Sequence, residues 1–307
     1  MDSTVHIPVM LAEVIEYLNL KPGMNAIDGT LGGGGHAEAI LEKISPGGKL
    51  LGIDLDDEAI ARARERLRRF GNRVILAQGN FRELAALRQK FFPYPVCAVL
   101  LDLGLSSDQL DNPRRGFSFL TEGPLDMRLR GTGDASTISA REVVNTAPEA
   151  DLARIFRQYG EERFANAIAH TLVVARERKP IETTQALASL IVSAVPPHAR
   201  RVSRVHPATR IFQALRIAVN QELGSLEETL PQAAGLLEPQ GRCAVISFHS
   251  LEDRIVKHGF NALARKKIVR IITKTPRVPA SDEVIRNPRA RSAKLRVIER
   301  LGENYQL

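Results

Sequence analysis

Cysteine is scarce in this chain of 307 residues, and long apolar runs are missing. The two cysteines, Cys97 and Cys243, and the 7 histidines are scattered without the spacing of metal ligands, so no metal site is predicted. Buried, reduced thiols of a cytoplasmic protein are expected. No stretch of about 18 apolar residues occurs, which argues against a transmembrane helix and a membrane partner. Residues 1–20 lack the basic segment with which a signal peptide begins.

Positive charge is concentrated near the C-terminus. The chain has a net charge of +8, whereas residues 254–307 hold 14 Lys and Arg against 4 Asp and Glu, a local charge of +10. The remaining 253 residues therefore sum to −2. Such a basic segment is typical of a protein with a polyanionic partner, most often nucleic acid, although a solubilising surface has the same composition.

Short apolar runs alternate with helical patterns over the first hundred residues. Strands are predicted at 25–28, 49–54, 74–78 and 96–103. Between the second and third strands, the segment 57–70 places Ala59, Ile60 and Ala63 on one helical face and three arginines on the other. Continuous apolar strands separated by amphipathic helices predict a parallel sheet covered on both faces.

The alternation stops after Ser106. A long loop rich in Gly, Pro and Arg is predicted for 111–133. A helix is predicted from a capping box at Thr146 to Gly160. Further helices are predicted at 161–178 and 183–195, followed by a basic loop at 198–204.

Strand character returns in the last third of the chain, at 241–248, 268–273 and 295–298. We therefore predict an α/β fold in which residues 1–109 and 211–307 form one domain. A mainly helical domain, 110–210, is expected to be inserted into it and to contact the substrate. No internal repeat is evident in the sequence.

A glycine-rich loop, Asp28–His36, joins the first strand to a helix that begins near Ala37. Glycine lets a backbone turn sharply and approach a ligand closely. Gly32, Gly34 and Ala37 fit the pattern G-x-G-x-x-G/A, and Asp54 ends the second strand where an acidic residue binds ribose hydroxyls. The combination predicts a cofactor that contains a nucleoside, and a purely structural glycine turn is the alternative.

The charge beside this loop separates two classes of cofactor. A dinucleotide would bring an anionic pyrophosphate close to Asp28, which would repel it. S-adenosylmethionine (SAM) instead carries an ammonium and a sulfonium group, which a carboxylate attracts. Because open α/β sheets bind ligands at the carboxyl ends of their strands, Asp28, Asp54 and Asp102 are expected to converge there. One such aspartate often caps a helix or turn, but three on successive strands favour a binding site.

Several motifs resemble those of one enzyme family. They are 28–36 (DGTLGGGGH), 101–107 (LDLGLSS), 115–119 (RGFSF), 123–128 (GPLDMR), 159–164 (YGEERF), 206–210 (HPATR), 247–257 (SFHSLEDRIVK) and 287–292 (NPRARS). From His6 to Arg300, and in this order, they are similar to the bacterial small-subunit ribosomal RNA cytosine-N4 methyltransferases. Members of that family often have Arg or Lys within the glycine loop, where this chain has Gly33.

The resemblance implies a SAM-dependent enzyme that methylates the exocyclic N4 of one cytidine in the decoding region of the small ribosomal subunit. It implies a Rossmann-like class I methyltransferase sheet with a helical insertion, in agreement with the segmentation above. Ribosomal RNA would be the partner, and the oligomeric state is left open. The family's cofactor contacts correspond here to Gly34, Gly35, His36, Asp54, Phe81, Asp102 and Gln109.

No catalytic base is assigned from the sequence. Many amino-methyltransferases place an Asp/Asn/Ser-Pro-Pro-aromatic motif after the fourth strand, whereas this chain has Asp102-Leu-Gly-Leu. Another group must therefore stack on the target base, and Phe117 and Phe119 are candidates for that role or for core packing. His249 is a candidate substrate contact or proton acceptor, or else a structural histidine bonded to backbone.

Arginines of the helical insertion are candidate phosphate contacts, with a solvated surface as the alternative. They are Arg114, Arg115, Arg200, Arg201 and Arg204. Access to the base would require a single-stranded or flipped nucleotide.

Three rival functions fit parts of the pattern. An NAD-dependent oxidoreductase would use the same glycine loop, but Asp28 and the basic C-terminus disfavour it. A non-catalytic ribosome-assembly factor is disfavoured by the intact set of aspartates and glycines. A DNA amino-methyltransferase is disfavoured by the missing Pro-Pro-aromatic motif.

Overall fold

The computed structural model describes residues 8–130, 137–202 and 205–302. The chain forms two compact units. The first, here called the sheet unit, comprises Met1–Gly104 and Leu223–Leu307; the second, the helical unit, comprises Leu105–Glu222. No helix among the described residues is both long and apolar enough to cross a membrane.

The helical unit is larger than the predicted insertion, 110–210, and this corrects both boundaries. A helix at Pro207–Asn220 buries Ile211 and Leu215 in the core of the helical unit. At the other boundary, Leu105 and Leu110 pack against the same core. The amphipathic pattern of these segments predicted helices, but it did not indicate which of the two cores they would join.

Seven strands form one sheet within the described part of the sheet unit. They are β1 (Ala26–Asp28), β2 (Leu50–Asp54), β3 (Val74–Gln78), β4 (Val96–Asp102), β5 (Leu237–Ser247), β6 (Val269–Ile271) and β7 (Lys294–Arg300). Their order is β3-β2-β1-β4-β5-β7-β6, with the first five parallel and β7 antiparallel to both β5 and β6. The predicted Rossmann-like fold is confirmed. The strand order reverses between β1 and β4, where sheets of this kind bind ligands.

Helices cover both faces of the sheet and form the second unit. The sheet unit contains α1 (Leu11–Leu18), α2 (Gly35–Lys43), α3 (Asp57–Arg66) and α4 (Leu84–Phe91). The helical unit contains α5 (Ser107–Asp111), α6 (Ala140–Thr146), α7 (Glu149–Gly160), α8 (Ala165–Arg178), α9 (Thr184–Ala194), α10 (Pro197–Val202) and α11 (Pro207–Asn220). The chain continues with α12 (Glu222–Leu236), α13 (Ser250–Arg265) and α14 (Ser281–Arg286).

The central strands are apolar throughout because both of their faces are buried. On one face, Ile27 of β1 and Val99 of β4 belong to a core that includes Phe260 of α13. On the other, Leu100 of β4 belongs to a core that includes Ile40 of α2. Burial on both faces removes the polar alternation that an exposed face would produce.

Two predictions about the helical unit were wrong in detail. The helix that ends at Gly160 begins at Glu149, because Thr146 ends α6 and donates its hydroxyl to the carbonyl of Glu142. The predicted basic loop contains α10, while Ser203 and Arg204 lie outside the described residues.

Both cysteines are unpaired thiols in the sheet unit. Cys243 is buried in β5, and Cys97 in β4 is half-buried. Burial raises the pKa of Cys243 to about 12, so its thiol stays protonated at neutral pH and packs as a small apolar group.

Candidate functional site

The glycine-rich loop runs from the end of β1 to the start of α2. Gly34 caps α2 with a φ of 79°, in the left-handed region that favours glycine. The N–H of Gly32 donates to Asp54 Oδ2 at 2.8 Å, and the N–H of Leu31 donates to the carbonyl of Ile53 at 2.9 Å. The loop is therefore held against the end of β2.

Two neighbouring glycines in the loop should respond differently to substitution. A Cβ at Gly34 would lie 3.3 Å from Ala63 Cβ and would take a positive φ, whereas a Cβ at Gly33 would meet nothing within 4 Å. Gly34→Ala should therefore lower the free energy of unfolding by roughly 1–2 kcal/mol. Gly33→Ala should change it by less than about 0.5 kcal/mol. Urea unfolding of both variants measures this difference, and equal losses would contradict it.

The open space at Gly33 bears on the one departure from the family's pattern. A longer side chain there would extend away from the loop's own contacts. The fold of the loop therefore does not depend on whether this position carries Gly or a basic residue.

Thr30 links the ends of β1 and β4. Its N–H donates to Asp28 Oδ1 at 3.2 Å, and its hydroxyl oxygen accepts the N–H of Asp102 at 2.6 Å. Asp54 is tied to the same loop through Gly32. The three aspartates therefore converge on one loop, as expected from their positions at the carboxyl ends of three strands. Nothing in the sequence pattern singled out Thr30, because its partner lies 72 positions away.

Two carboxylate oxygens at this site are buried without a hydrogen-bond partner among the described residues. They are Asp28 Oδ2 and Asp102 Oδ1. The Asp102 side chain is 18% exposed, whereas Asp28 is only 1% exposed and lies deeper. Unsatisfied buried acceptors are costly unless a ligand completes them. A cationic group suits this pair, and the ammonium group of SAM is one.

Burial also changes the ionisation of these carboxyls. It raises the pKa of Asp28 to about 7, with a smaller contribution from the negative charge of Asp54. Burial, followed by the charges of Asp28 and Glu252, raises the pKa of Asp102 well above its ordinary value. Burial raises the pKa of Asp54 too, although hydrogen bonds from Asp56 and Gly32 oppose the change. Such shifts are typical of functional sites.

His36, in the first turn of α2, lies beside Asp102. Its Nε2 lies 3.0 Å from the carbonyl oxygen of Val9, which only accepts, so Nε2 carries a proton. Its Nδ1 lies 3.5 Å from Asp102 Oδ2. The buried ring therefore packs beside the Asp102 carboxyl group, and the backbone N–H groups of Gly35 and His36 lie at the N-terminus of α2. N–H groups in that position suit an anionic group such as the carboxylate of SAM.

Phe81 lies beside the same loop. It follows β3 and begins a 3-10 turn, Phe81–Glu83. A Cβ built at Gly29 would lie 3.6 Å from Phe81 Cβ, and the hydroxyl of Thr229 donates to the Phe81 carbonyl at 3.1 Å. The half-buried ring packs against the core that includes Leu101, and its contact with the cofactor, which the resemblance implies, remains a prediction.

Gln109 belongs to the helical unit. It is buried in α5, where its Oε1 accepts the N–H of Ser106 at 3.1 Å. The hydroxyl oxygen of Ser106 in turn accepts the N–H of Gln109 at 3.2 Å, which completes a capping box. Its contact with the cofactor remains a prediction.

His249 has a structural role, which was one of the alternatives predicted for it, and a contact with the substrate stays a prediction. It caps the N-terminus of α13, where its Nδ1 accepts the N–H of Glu252 at 3.4 Å. The buried Glu252 accepts the N–H of Phe248 at 2.8 Å, and its charge acts on Asp102. Glu252 was not singled out by sequence, although its place three residues after His249 is the capping-box spacing.

In the helical unit, Phe117 is buried in the core, whereas Phe119 stacks on His206 with ring centroids 4.7 Å apart. Arg115 is buried, and it donates to the carbonyls of Arg128 and Leu129. Its role as a phosphate contact is therefore corrected to a structural one, since its guanidinium binds backbone.

The other candidate arginines stay nearer to solvent. Arg114 and Arg201 are exposed, and Arg200 is half-buried. Arg204 lies outside the described residues. No group of three or more His, Cys, Asp or Glu suited to a metal ion occurs in the part of the chain that the structure describes.

The sequence matches the model of the MraW methylase family over residues 3–301. The chain is a member of that family. Its relatives include ribosomal RNA small subunit methyltransferase H of Geobacter sulfurreducens, 51% identical over 96% of this chain and 99% of that protein. The protein of the same name from Thermomicrobium roseum is 48% identical over 98% of this chain and 95% of its own length.

Membership in the MraW methylase family confirms two of the predictions. The protein is a methyltransferase, and its cofactor is SAM. The rival oxidoreductase is thereby excluded.

Among solved structures, an rRNA methylase from Streptococcus thermophilus is similar with a TM-score of 0.42 and 11% identity, over 95% of this chain and 92% of that one.

Proposed function

We propose that this protein transfers the methyl group of SAM to the exocyclic N4 of one cytidine in the decoding region of small-subunit ribosomal RNA. The observation that carries the proposal is the pair of buried, unpartnered carboxylate oxygens of Asp28 and Asp102 beside the glycine loop. Relatives across the full length are named for the RNA of the small subunit. Such a substrate implies a cytoplasmic enzyme.

The chain's contribution to the reaction is binding and orientation. When bound, SAM supplies a methyl group on a sulfonium. Cytosine N4 is a poor nucleophile because its lone pair is delocalised into the ring, so it must be held in line with that methyl group. Positioning of this kind contributes roughly 7–11 kcal/mol in well-oriented systems. Asp28, Asp102 and the N-terminus of α2 would fix the cofactor end of the arrangement.

We further propose that the helical unit is the substrate domain. Exposed Arg114 and Arg201 supply positive charge for phosphates on either side of the target. The basic segment 254–307 adds to the attraction of an RNA partner. The target nucleotide would be single-stranded or flipped when it reaches the cofactor.

Removing these two arginines together should weaken RNA binding and reduce its dependence on salt. A plot of the logarithm of the RNA association constant against the logarithm of the salt concentration has a negative slope. In Arg114→Ala/Arg201→Ala, the magnitude of this slope should fall by about 1 for each phosphate that the protein no longer neutralises. Arg154→Ala is the matched control, since Arg154 is an exposed arginine of the same unit that pairs with Asp151 at 3.0 Å. Filter binding at several salt concentrations measures the slopes. Equal slopes for the wild type and both variants would contradict the assignment.

The function itself is tested by methyl transfer. Purified protein is incubated with methyl-labelled SAM and small ribosomal subunits or total DNA, both from cells that lack the enzyme. Labelled N4-methylcytidine in the ribosomal RNA, absent with Asp102→Ala, is the expected result. Label in DNA would favour the DNA amino-methyltransferase. No label in either acceptor, despite SAM binding, would contradict the proposed substrate.

A further inference from the structure

The ends of β4 and β5 bring an aromatic ring next to the residues that follow Asp102. The two strands are parallel with Asp102 opposite Ile246, and the N–H of Leu103 donates to the Ile246 carbonyl at 3.0 Å. Both strands therefore end at the same level of the sheet. The first residue after β5 is Phe248, because β5 ends at Ser247.

The Phe248 ring lies against Gly104. A Cβ built at Gly104 would be 3.4 Å from Phe248 Cδ2, and Gly104 has a φ of 97°. Glycine at this position allows both the turn after β4 and the close approach of the ring. Phe248 thus occupies the neighbourhood in which many amino-methyltransferases place the aromatic residue of their Pro-Pro-aromatic motif. This chain has no aromatic residue in its own loop directly after β4, Leu103–Ser106.

The ring is fixed but not enclosed. Phe248 is half-buried, and its inner side packs on the core that contains Ile246 and Leu295. Its N–H is held by Glu252 Oε2 at 2.8 Å. A rigid, partly exposed ring at the carboxyl edge of the sheet is suited to stacking on a nucleobase, and a base gains from a preformed platform.

The two aromatic residues that the sequence suggested for stacking on the target base pack within the helical unit instead. Phe117 is in the core of the helical unit, and Phe119 packs between His206 and Phe212. From this arrangement we infer that Phe248 is the residue on which the target cytosine stacks during methyl transfer. The inference rests on the proposed function. It assigns to the first residue after β5 a role that related sites give to the loop after β4.

The test compares Phe248→Leu with Phe248→Tyr. Stacking on an aromatic side chain contributes enough that its loss reduces binding by roughly 5- to 150-fold. Phe248→Leu should therefore lower kcat/KM for small ribosomal subunits by a factor in this range, while the Kd for SAM changes less than about twofold. Phe248→Tyr keeps the ring and should retain kcat/KM within about threefold of the wild type.

Phe260→Leu is the matched control, because Phe260 is buried in the core on the opposite face of the sheet. It should lower the thermal midpoint without a selective loss of kcat/KM for RNA. Full activity of Phe248→Leu would overturn the inference. So would parallel losses of SAM affinity and RNA activity, or a Phe248→Tyr protein as impaired as the leucine variant. Failure of the proposed function is distinct, since the wild-type protein would then methylate no ribosomal RNA.

Discussion

Asp102→Asn should weaken SAM binding by about 100-fold or more and leave the protein folded. Asp102 Oδ1 is buried and has no hydrogen-bond partner within the described ranges, so it is available to the cofactor's ammonium group. Removing one member of a buried ion pair costs roughly 3–5 kcal/mol, which corresponds to two or more orders of magnitude in affinity. Asparagine keeps the size and shape of the side chain. Isothermal titration calorimetry with SAM measures the change.

The same substitution should stabilise the SAM-free protein at pH 8. Burial raises the pKa of Asp102, which means that folding disfavours its charged form, and asparagine removes that charge. Asp253 provides the control, because its pKa is lowered in the folded protein whereas that of Asp102 is raised. Although burial acts to raise the pKa of Asp253, hydrogen bonds from Arg296 at 2.6 Å and Lys294 at 3.1 Å lower it.

Asp253→Asn should therefore reduce the free energy of unfolding at pH 8 and leave SAM affinity unchanged. The two variants carry the same change of side chain but should shift stability in opposite directions. Urea unfolding at pH 8 compares them. Unchanged SAM affinity in Asp102→Asn would refute the assignment of the cofactor's cation to this carboxylate.

The affinity for SAM should rise as the pH increases towards and through 7. Burial raises the pKa of Asp28 to about 7, and like charge repels the neighbouring Asp102, so the SAM-free site holds a proton in mildly acidic solution. A bound cation stabilises the ionised form, and binding therefore releases that proton. Below the pKa the Kd should increase about tenfold for each pH unit. Titrations in buffers of different ionisation enthalpy count the protons released.

Asp28 should also make the SAM-free protein less stable as the pH rises. Its pKa is about 7 in the folded protein against an ordinary value of 3.8, so between these values the folded state holds a proton that the unfolded state has lost. The associated stabilisation is complete below the lower value and lost as the pH passes the upper one, a change of roughly 4 kcal/mol. Asp28→Asn should reduce this loss of stability, and the part that remains belongs to Asp54 and Asp102, whose pKa values are raised too. A flat profile in the wild type would contradict it.

The sheet could be predicted from sequence because its central strands are buried on both faces. Leu50–Asp54 and Val96–Asp102 are continuous apolar runs that end in an aspartate, which indicated both the strands and the edge where the carboxylates meet. The boundaries of the helical unit could not be predicted in this way. An amphipathic helix such as Pro207–Asn220 shows that it has a buried face, but not which core covers that face.

The supporting contacts of the site were harder to predict. Thr30 reaches Asp102, and Glu252 acts on the same carboxylate from α13, only because the fold brings distant segments together. Arg115 lies in a stretch rich in Gly, Pro and Arg that predicts a solvated loop. Its burial depends on carbonyls 13 and 14 positions further along the chain. Local patterns do not contain such information.

The division of the sheet unit by residues 105–222 has a consequence for how the protein is made. β4 leaves the ribosome long before its neighbour β5, and the helical unit emerges between them. Domains fold largely as they are synthesised, so the helical unit can complete its own core while β4 still presents an unpaired edge of apolar residues. We expect slow folding of the helical unit to prolong that exposure. The yield of protein with a correctly formed cofactor site would then depend on a unit whose described residues contribute no strand to the sheet.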